Sequence, residues 1–170
     1  YPEDTFELVI IKTTGDKVTD KPLAAIGTKG LFVKEIEEAL LSGSIDMAVH
    51  SMKDMPAECE AGLTFAKAWK REDCRDVLIL KNAGSFSELP SGAVIVTGSL
   101  RRACQLAMLR PDIQFTAIRG NVDTRINKLM DDSYGLDGIV LAAAGLNRLG
   151  RSSEITEYLD PEVVIPAPAQ

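Results

Sequence analysis

The sequence lacks the features that mark several common classes of protein. It has a single histidine, His50, and its three cysteines (Cys59, Cys74 and Cys104) form no CxxC pair, so neither a metal site nor a disulfide framework is indicated. No apolar run approaches the roughly 20 residues of a membrane-spanning helix, and the polar start does not resemble a signal peptide. The odd cysteine count favours reduced thiols in a cytosolic protein, with each cysteine a small structural residue.

Motifs for nucleotide and nucleic-acid binding are missing as well. There is no GxxxxGK[ST] loop, and no GxGxxG segment follows a strand-like run. The formal net charge is −6, from 19 basic and 25 acidic residues, which argues against a general nucleic-acid binder. Any anion site must therefore come from the local placement of basic side chains.

What the sequence does contain, from residue 77 onward, is a regular alternation of strand-like and helix-like segments. The predicted strands are 77–80, 93–97, 114–118 and 138–142, and the predicted helices are 100–109, 122–130 and a short one ending at 149. Such alternation predicts an α/β fold with a parallel sheet and right-handed crossovers.

The first part of the chain is less regular. It is predicted to hold strands at 6–12, 45–49 and 63–69, a loop at 13–21 and a helix from about 30 to 41. Because the composition changes at a charged connector, residues 70–76, we expect two α/β lobes, the first incomplete. The predicted domains are residues 1–72 and 73–162, followed by a segment, 163–170, that begins with a β-like run and returns toward the first domain.

Three strand-to-helix turns of the second lobe carry arginine. They are residues 97–102 (TGSLRR), 119–125 (RGNVDTR) and 142–148 (AAAGLNR). In the first two, a glycine frees the backbone and Ser99 or Asn121 can cap the helix, whose free N–H groups favour an anion. One such arginine is usually a solvated surface residue, but parallel strands deliver their turns to one edge of a sheet. The pattern therefore predicts a cleft for a ligand with several carboxylates or phosphates.

In the first lobe, Lys53 and Asp54 lie where an expected buried strand, 45–49, gives way to a turn that ends at Pro56. The simplest role for Asp54 is to cap that turn. A carboxylate facing a polyanion cleft would be repelled by the ligand unless it moved a proton or stabilised a cation. His50 is better explained as a core residue with satisfied hydrogen bonds than as a base, because no second histidine or cysteine supports a triad.

Six segments of the sequence resemble segments of a known family. They are residues 27–35 (GTKGLFVKE), 48–56 (AVHSMKDMP), 71–73 (RED), 98–102 (GSLRR), 118–125 (IRGNVDTR) and 141–150 (LAAAGLNRLG). In this order, over about residues 15–170, the sequence resembles the porphobilinogen deaminases (hydroxymethylbilane synthases), and so long a series of motifs is specific.

The resemblance implies a transferase of porphyrin and haem biosynthesis. That family condenses porphobilinogen head to tail, with loss of ammonia, to the linear tetrapyrrole hydroxymethylbilane. The first two of its three domains resemble the lobes of type II periplasmic binding proteins. A dipyrromethane cofactor is attached to a cysteine of the third domain, so we expect no attachment point among residues 1–170.

The resemblance also implies a role for particular residues. Asp54 is the expected catalytic carboxylate, which contacts pyrrole nitrogens and stabilises the cation formed as ammonia leaves. The residues expected to bind the cofactor are Lys53, Ser51, Ser99, Arg101, Arg102 and Arg125. Those expected to bind substrate carboxylates are Arg119, Arg148 and Lys29, and no metal is expected.

The expected partners are porphobilinogen and the growing polypyrrole, bound by a cytoplasmic monomer with no nucleic-acid or membrane partner. The family's N-terminal strand and helix and its third domain have no counterpart in residues 1–170, so we expect this chain to be inactive alone. The alternative is a non-catalytic, two-lobed module that binds an anion or another solute. Asp54 discriminates between the two, because a pure anion binder gains nothing from a carboxylate that faces its ligand.

Overall fold

The computed structural model describes residues 2–17, 33–67 and 69–170. The chain divides into two compact units, Tyr1–Ala68 and Trp69–Gln170. This division lies close to the charged connector at which the composition changes. The domain limits expected at residues 72 and 162, and the return of segment 163–170 toward the first domain, stay predictions.

Two helices form in the described part of the first unit, α1 (Thr14–Lys17) and α2 (Lys34–Leu41). Helix α2 confirms the helix predicted there, although its expected first turn, residues 30–32, lies outside the described residues. It ends as predicted, because Gly43 adopts a φ of 71° and donates its N–H to Leu40 O at 3.0 Å. Helix α1 replaces part of the expected loop, and the Thr14 N–H at its start donates to Glu35 at 2.8 Å.

The three strands predicted in the first unit are wrong, because the described residues of 6–12, 45–49 and 63–69 pair with no neighbouring strand. Their apolar side chains are largely exposed; Leu8 is 93% and Val49 is 87% exposed. Apolar and β-branched runs favour strands, but a strand persists only where another strand meets its backbone hydrogen-bonding groups. In the described part of this unit no such neighbour is present.

The second unit contains one five-stranded sheet with the order β3-β2-β4-β1-β5. Its strands are β1 (Asp76–Leu80), β2 (Val94–Val96), β3 (Gln114–Thr116), β4 (Gly138–Ala142) and β5 (Glu157–Tyr158). The first four confirm the predicted strands, whereas β5 was not predicted. The β-like run at 163–165 forms no strand; its Val164 is instead buried in the core.

The sheet is mixed rather than parallel. Strand β2 is parallel to β3 and β4, as predicted, but β1 is antiparallel to β4 and β5. The connection from β1 to β2 contains only a 3₁₀ turn, Phe86–Glu88, in place of a helix. A parallel crossover usually needs a helix to carry the chain back across the sheet, so β1 and β2 run in opposite directions.

Helices α3 (Leu100–Leu109), α4 (Val122–Met130) and α5 (Ala143–Arg148) cover both faces of the sheet and confirm the three predicted helices. Leu78 of β1 packs in one core cluster with Leu106 of α3. Val77, its neighbour, packs in the other cluster with Ile126 of α4 and Leu146 of α5. Successive side chains of a strand point to opposite faces, so this division confirms an α/β architecture, consistent with a lobe of a type II periplasmic binding protein.

One edge of this sheet holds the carboxyl ends of the parallel strands β2, β3 and β4. Asp76, at the start of the antiparallel β1, pairs with Ala142 at the end of β4, so it lies at the same edge. We call this the site edge, because the turns that lead into α3, α4 and α5 begin there. In open α/β sheets, ligands bind outside the carboxyl ends of the strands.

Candidate functional site

The first arginine turn caps helix α3. Ser99 accepts a hydrogen bond on its Oγ from Arg102 N at 3.4 Å, and its own N–H donates to Thr97 Oγ1 at 3.2 Å. The capping role predicted for Ser99 is therefore confirmed. Arg101 and Arg102 occupy the first turn of the helix at the site edge, where free backbone N–H groups favour a negative charge.

Arg102 is buried and directed at Asp76. Its Nε and Nη2 donate to Asp76 Oδ1 at 2.9 and 2.7 Å, and its Nη1 lies 3.5 Å from Val140 O. Hydrogen bonds between charged groups are stronger than neutral ones, and burial removes the competition of water. The guanidinium of Arg102 is thus fixed in place by protein contacts alone.

Asp76 also contacts Arg101 and Gln170. Arg101 Nη2 forms an ion pair with Asp76 Oδ2 at 2.7 Å, while its Nη1 donates to Ile165 O at 2.5 Å. Gln170 Nε2 donates to Asp76 Oδ1 at 2.7 Å. Burial alone would raise the pKa of Asp76, but the hydrogen bonds and charge of Arg102, together with Gln170 and Arg101, lower it below its ordinary value.

The second arginine turn places Arg125 beside Gly120. Asn121 caps α4 by accepting a hydrogen bond from Thr124 N at 2.8 Å, as its residue type predicted. Arg125 Nε donates to Gly120 O at 2.6 Å, so the side chain folds back onto the turn that precedes its own helix. Arg119, in the turn before α4, accepts a hydrogen bond on its carbonyl oxygen from Lys128 Nζ at 3.3 Å.

Three arginine charges act on one another at this edge. Burial lowers the pKa of Arg125, and the neighbouring charges of Arg102 and Arg119 lower it further. Arginine stays protonated at physiological pH, so Arg125 keeps its positive charge in the presence of the charges of Arg102 and Arg119. A bound group with several negative charges would relieve this repulsion. Arg102 lies at the start of α3, Arg119 in the turn before α4 and Arg125 within α4, so the structure places all three at the site edge.

The third turn differs from the other two. Arg148 is the last residue of α5, so it lies about 7–8 Å along the axis from the helix start, and it is exposed. The expectation that residues 142–148 form a strand-to-helix turn is wrong, because α5 begins directly at Ala143 with no intervening loop. The pKa of Glu72 is lowered by hydrogen bonds from Asp73 N and Asn147, and also by the charge of Arg148.

In the first unit, the predicted turn around Asp54 is present as a 3₁₀ turn, Met52–Asp54. Asp54 N donates to Ser51 O at 2.9 Å, and the side chains of Ser51, Lys53 and Asp54 are exposed. Lys29 lies outside the described residues. That these side chains share a cleft with the arginines of the second unit stays a prediction.

His50 is half-buried, and its Nε2 has no hydrogen-bond partner among the described residues. The expectation of a fully satisfied core histidine therefore does not hold for this nitrogen. Within residues 2–17, 33–67 and 69–170, no group of three His, Cys, Asp or Glu side chains could hold a metal ion. No helix in the same ranges is long and apolar enough to span a bilayer.

Sequence reasoning missed Asp76 and Gln170. Asp76 appeared to be one more charge of the connector at 70–76, although it begins the apolar strand β1. A carboxylate at the start of a buried run is the one available signal, because such a group needs a cationic partner nearby. Nothing in the sequence around Gln170 indicates its contact with a residue 94 positions earlier.

Comparison with known proteins identifies the family. The family profile described as "Porphobilinogen deaminase, dipyromethane cofactor binding domain" matches residues 2–170. The chain is 98% identical over its full length to the porphobilinogen deaminase of Lachnospira eligens, of which it covers 58%. It is 54% identical to that of Syntrophus aciditrophicus, covering 55% of it, and 56% identical to that of Clostridioides difficile, covering 56%.

The chain thus spans little more than half the length of these curated relatives. The matched profile includes both turns that bring the arginines together and the turn that carries Asp54. The chain belongs to the porphobilinogen deaminase family, and within it to the dipyrromethane cofactor-binding domain.

Proposed function

We propose that the full-length protein containing this chain is a hydroxymethylbilane synthase, a transferase that condenses porphobilinogen head to tail with loss of ammonia. The observation that carries the proposal is the arginine cluster of the site edge, in which Arg101 and Arg102 meet at Asp76 and Arg125 folds back onto Gly120, next to Arg119. Each pyrrole unit of the product carries an acetate and a propionate group. A product that gains two carboxylates at every step needs a cleft with several guanidinium groups.

The same cluster suits a dipyrromethane cofactor. Burial lowers the pKa of Arg125 most, and the charges of Arg102 and Arg119 lower it further, so a group bearing several carboxylates fits the donor set. We propose that Ser99, Arg101, Arg102 and Arg125 hold the cofactor from the second unit, and that Ser51 and Lys53 hold it from the first. When bound, dipyrromethane supplies the pyrrole end to which the substrate units are added. Its covalent attachment would lie on a cysteine outside residues 1–170.

Asp54 is the proposed catalytic carboxylate. It lies at the end of a 3₁₀ turn with its side chain exposed, so it can approach a bound ligand. A fixed negative charge near the reacting carbon would stabilise the cation that forms as ammonia leaves, and it could accept a proton afterwards. Arg119, Arg148 and Lys29 are the proposed partners of the substrate carboxylates.

Replacing Asp54 with Asn in the full-length protein tests this role. We expect turnover of porphobilinogen to fall at least about a hundredfold, because the stabilising charge is lost while the shape of the turn is kept. Intact mass should still show the bound cofactor. Glu58→Gln is the control, since it removes an exposed carboxylate of the same unit outside the turn. Unchanged turnover in Asp54→Asn would remove Asp54 from the mechanism.

A non-catalytic anion-binding module is the second candidate, and the arginine cluster alone suits it equally well. This candidate predicts that the unaltered full-length protein binds porphobilinogen but releases no ammonia from it. We further propose that the protein acts in the cytoplasm as a monomer. The free cysteines support the cytoplasm, because disulfides are rare in that compartment. Sedimentation equilibrium of the full-length protein measures the oligomeric state, and a stable dimer would contradict the monomer.

A further inference from the structure

Asp76 directly contacts Arg101 and Arg102 at the site edge, and no solvent reaches it. Its exposed fraction is 0%, although it is charged and is the first residue of β1. A buried charge is costly unless it is paired and hydrogen-bonded. Asp76 Oδ1 accepts hydrogen bonds from Arg102 and Gln170, while Oδ2 forms an ion pair with Arg101 without a hydrogen bond of regular geometry.

We propose that Asp76 is a positioning residue, whose buried carboxylate holds Arg101 and Arg102 together so that they can receive the carboxylates of the cofactor and the growing chain. The proposal rests on the proposed function. Asp76 itself is not expected to touch cofactor or substrate. It acts through the two guanidinium groups, which it contacts with one oxygen each.

Helix geometry explains why such a residue is needed. Arg101 and Arg102 are consecutive on α3, and consecutive helical residues point in directions about 100° apart. Left alone, their side chains would diverge. Asp76 brings both guanidinium groups to one point, because Arg102 reaches Oδ1 at 2.7 Å and Arg101 reaches Oδ2 at 2.7 Å.

The register of β1 and β4 places the Asp76 carboxylate next to the start of α3. Asp76 is opposite Ala142 in the β1–β4 ladder, and Arg102 also lies within 3.5 Å of Val140 O on the same strand. Each guanidinium has five N–H donors, and the contacts with protein atoms use only some of them. Arg101 keeps 25% of its side chain exposed and Arg102 keeps 10%, so a ligand would meet mainly the remaining donors of Arg101, in an orientation that the protein contacts set in advance.

Electrostatics and positioning predict opposite results when the carboxylate is removed. Asp76→Asn takes one negative charge away from the arginine cluster, so Coulomb attraction alone would tighten the binding of an anion. If Asp76 positions the arginines, the same change loosens them and anion binding weakens. The sign of the change in affinity therefore separates the two explanations.

The experiment compares Asp76→Asn with Asp112→Asn in the full-length protein. Asp112 is a matched control because it also pairs with an arginine, Arg110, at 2.7 Å, but it precedes β3 and so lies at the opposite edge of the sheet. For Asp76→Asn we expect the cofactor-loaded fraction, measured by intact mass, to fall about fivefold or more. In the loaded molecules, KM for porphobilinogen should rise about tenfold while kcat changes much less.

A third measurement does not depend on turnover. Citrate, a tricarboxylate that is not a substrate, should bind more weakly to Asp76→Asn than to the control in calorimetry. Loading, KM and citrate affinity equal to those of Asp112→Asn, or tighter citrate binding, would overturn the proposal. If the unaltered protein and the control consume no porphobilinogen, the proposed function fails instead, and the citrate result still decides whether Asp76 positions the arginines.

Gln170→Met provides a milder variant if Asp76→Asn does not fold. It removes the Gln170 donor to Asp76 Oδ1 and leaves every charge in place. We expect changes in the same direction but smaller, with citrate affinity about two- to threefold weaker. Citrate affinity and KM identical to those of the unaltered protein would count against Asp76 as a positioning residue.

Discussion

Asp76 and Asp112 show how differently a carboxylate beside an arginine behaves at the two edges of one sheet. Asp76 is fully buried, so its ionised state depends on Arg102 and the other donors that offset the loss of water. Asp112 keeps 35% of its side chain exposed, and hydrogen bonds from Arg110 lower its pKa to about 2. The first residue organises a site, whereas the second contributes only to stability.

Asp112 contributes to the pH dependence of stability. Its folded pKa of about 2 lies below the value of about 3.9 of an unfolded aspartate, so its contribution is fully present above about pH 4. The contribution is lost as the pH falls from about 4 toward 2. We therefore expect Asp112→Asn to be less stable than the unaltered protein at pH 7, and the difference to shrink within that window. Urea unfolding of both proteins across this pH range measures it, and a difference independent of pH would contradict the ion pair.

At the scale of elements, the turn before α4 depends on Gly120. Its φ of 125° is a conformation that side-chain-bearing residues rarely adopt, and a Cβ there would lie 2.7 Å from Thr124 Cγ2. The same residue accepts the hydrogen bond from Arg125 Nε. The conformation of one glycine thus helps to orient an arginine of the site edge.

Gly120→Ala tests this dependence. We expect a loss of about 1–3 kcal/mol in the free energy of unfolding, because the strained φ and the contact with Thr124 act together. Gly98→Ala is the matched control, since Gly98 occupies the corresponding turn before α3 and a Cβ there meets no atom within 4 Å. Equal stability of the two variants in urea unfolding would contradict the steric argument.

The helices and strands show which features of the fold could be predicted from the sequence. Helices α3 and α4 begin where Ser99 and Asn121 predicted, because a capping side chain is a local signal that needs no distant partner. The direction of β1 and the strands of the first unit were predicted incorrectly, because both depend on which segments become neighbours. The contacts of Asp76 and the displacement of Arg148 to the end of α5 are missed for the same reason.

At the scale of the whole molecule, the two units differ in how much core they contain. Apart from Val33, the buried apolar side chains of the described residues all belong to the second unit, where they form two clusters around the sheet. In the first unit, Phe6, Leu8 and Val49 are mostly exposed. Burial of apolar surface is the main favourable term in folding, so among the described residues most of this stabilisation lies in the second unit.

We accordingly expect a polypeptide of residues 69–170 to fold on its own, and one of residues 1–68 to remain unfolded. Circular dichroism and amide dispersion in NMR spectra of the two polypeptides check this expectation. The 1–68 polypeptide is the matched comparison, because it is cut from the same chain at the same boundary. A disordered 69–170 polypeptide would show that its two core clusters are not sufficient.

The contact between Arg71 and Gln170 has a consequence for connectivity. Arg71 Nε donates to Gln170 O at 2.8 Å, and Gln170 Nε2 donates to Cys74 O at 2.8 Å, so opposite ends of the second unit lie side by side. A linker of a few residues could join them, and the chain could be opened at an exposed loop elsewhere without changing the strand order. Such a circular permutant would keep Asp76 beneath the two arginines, because their meeting depends on the sheet register and not on the order of the segments along the chain.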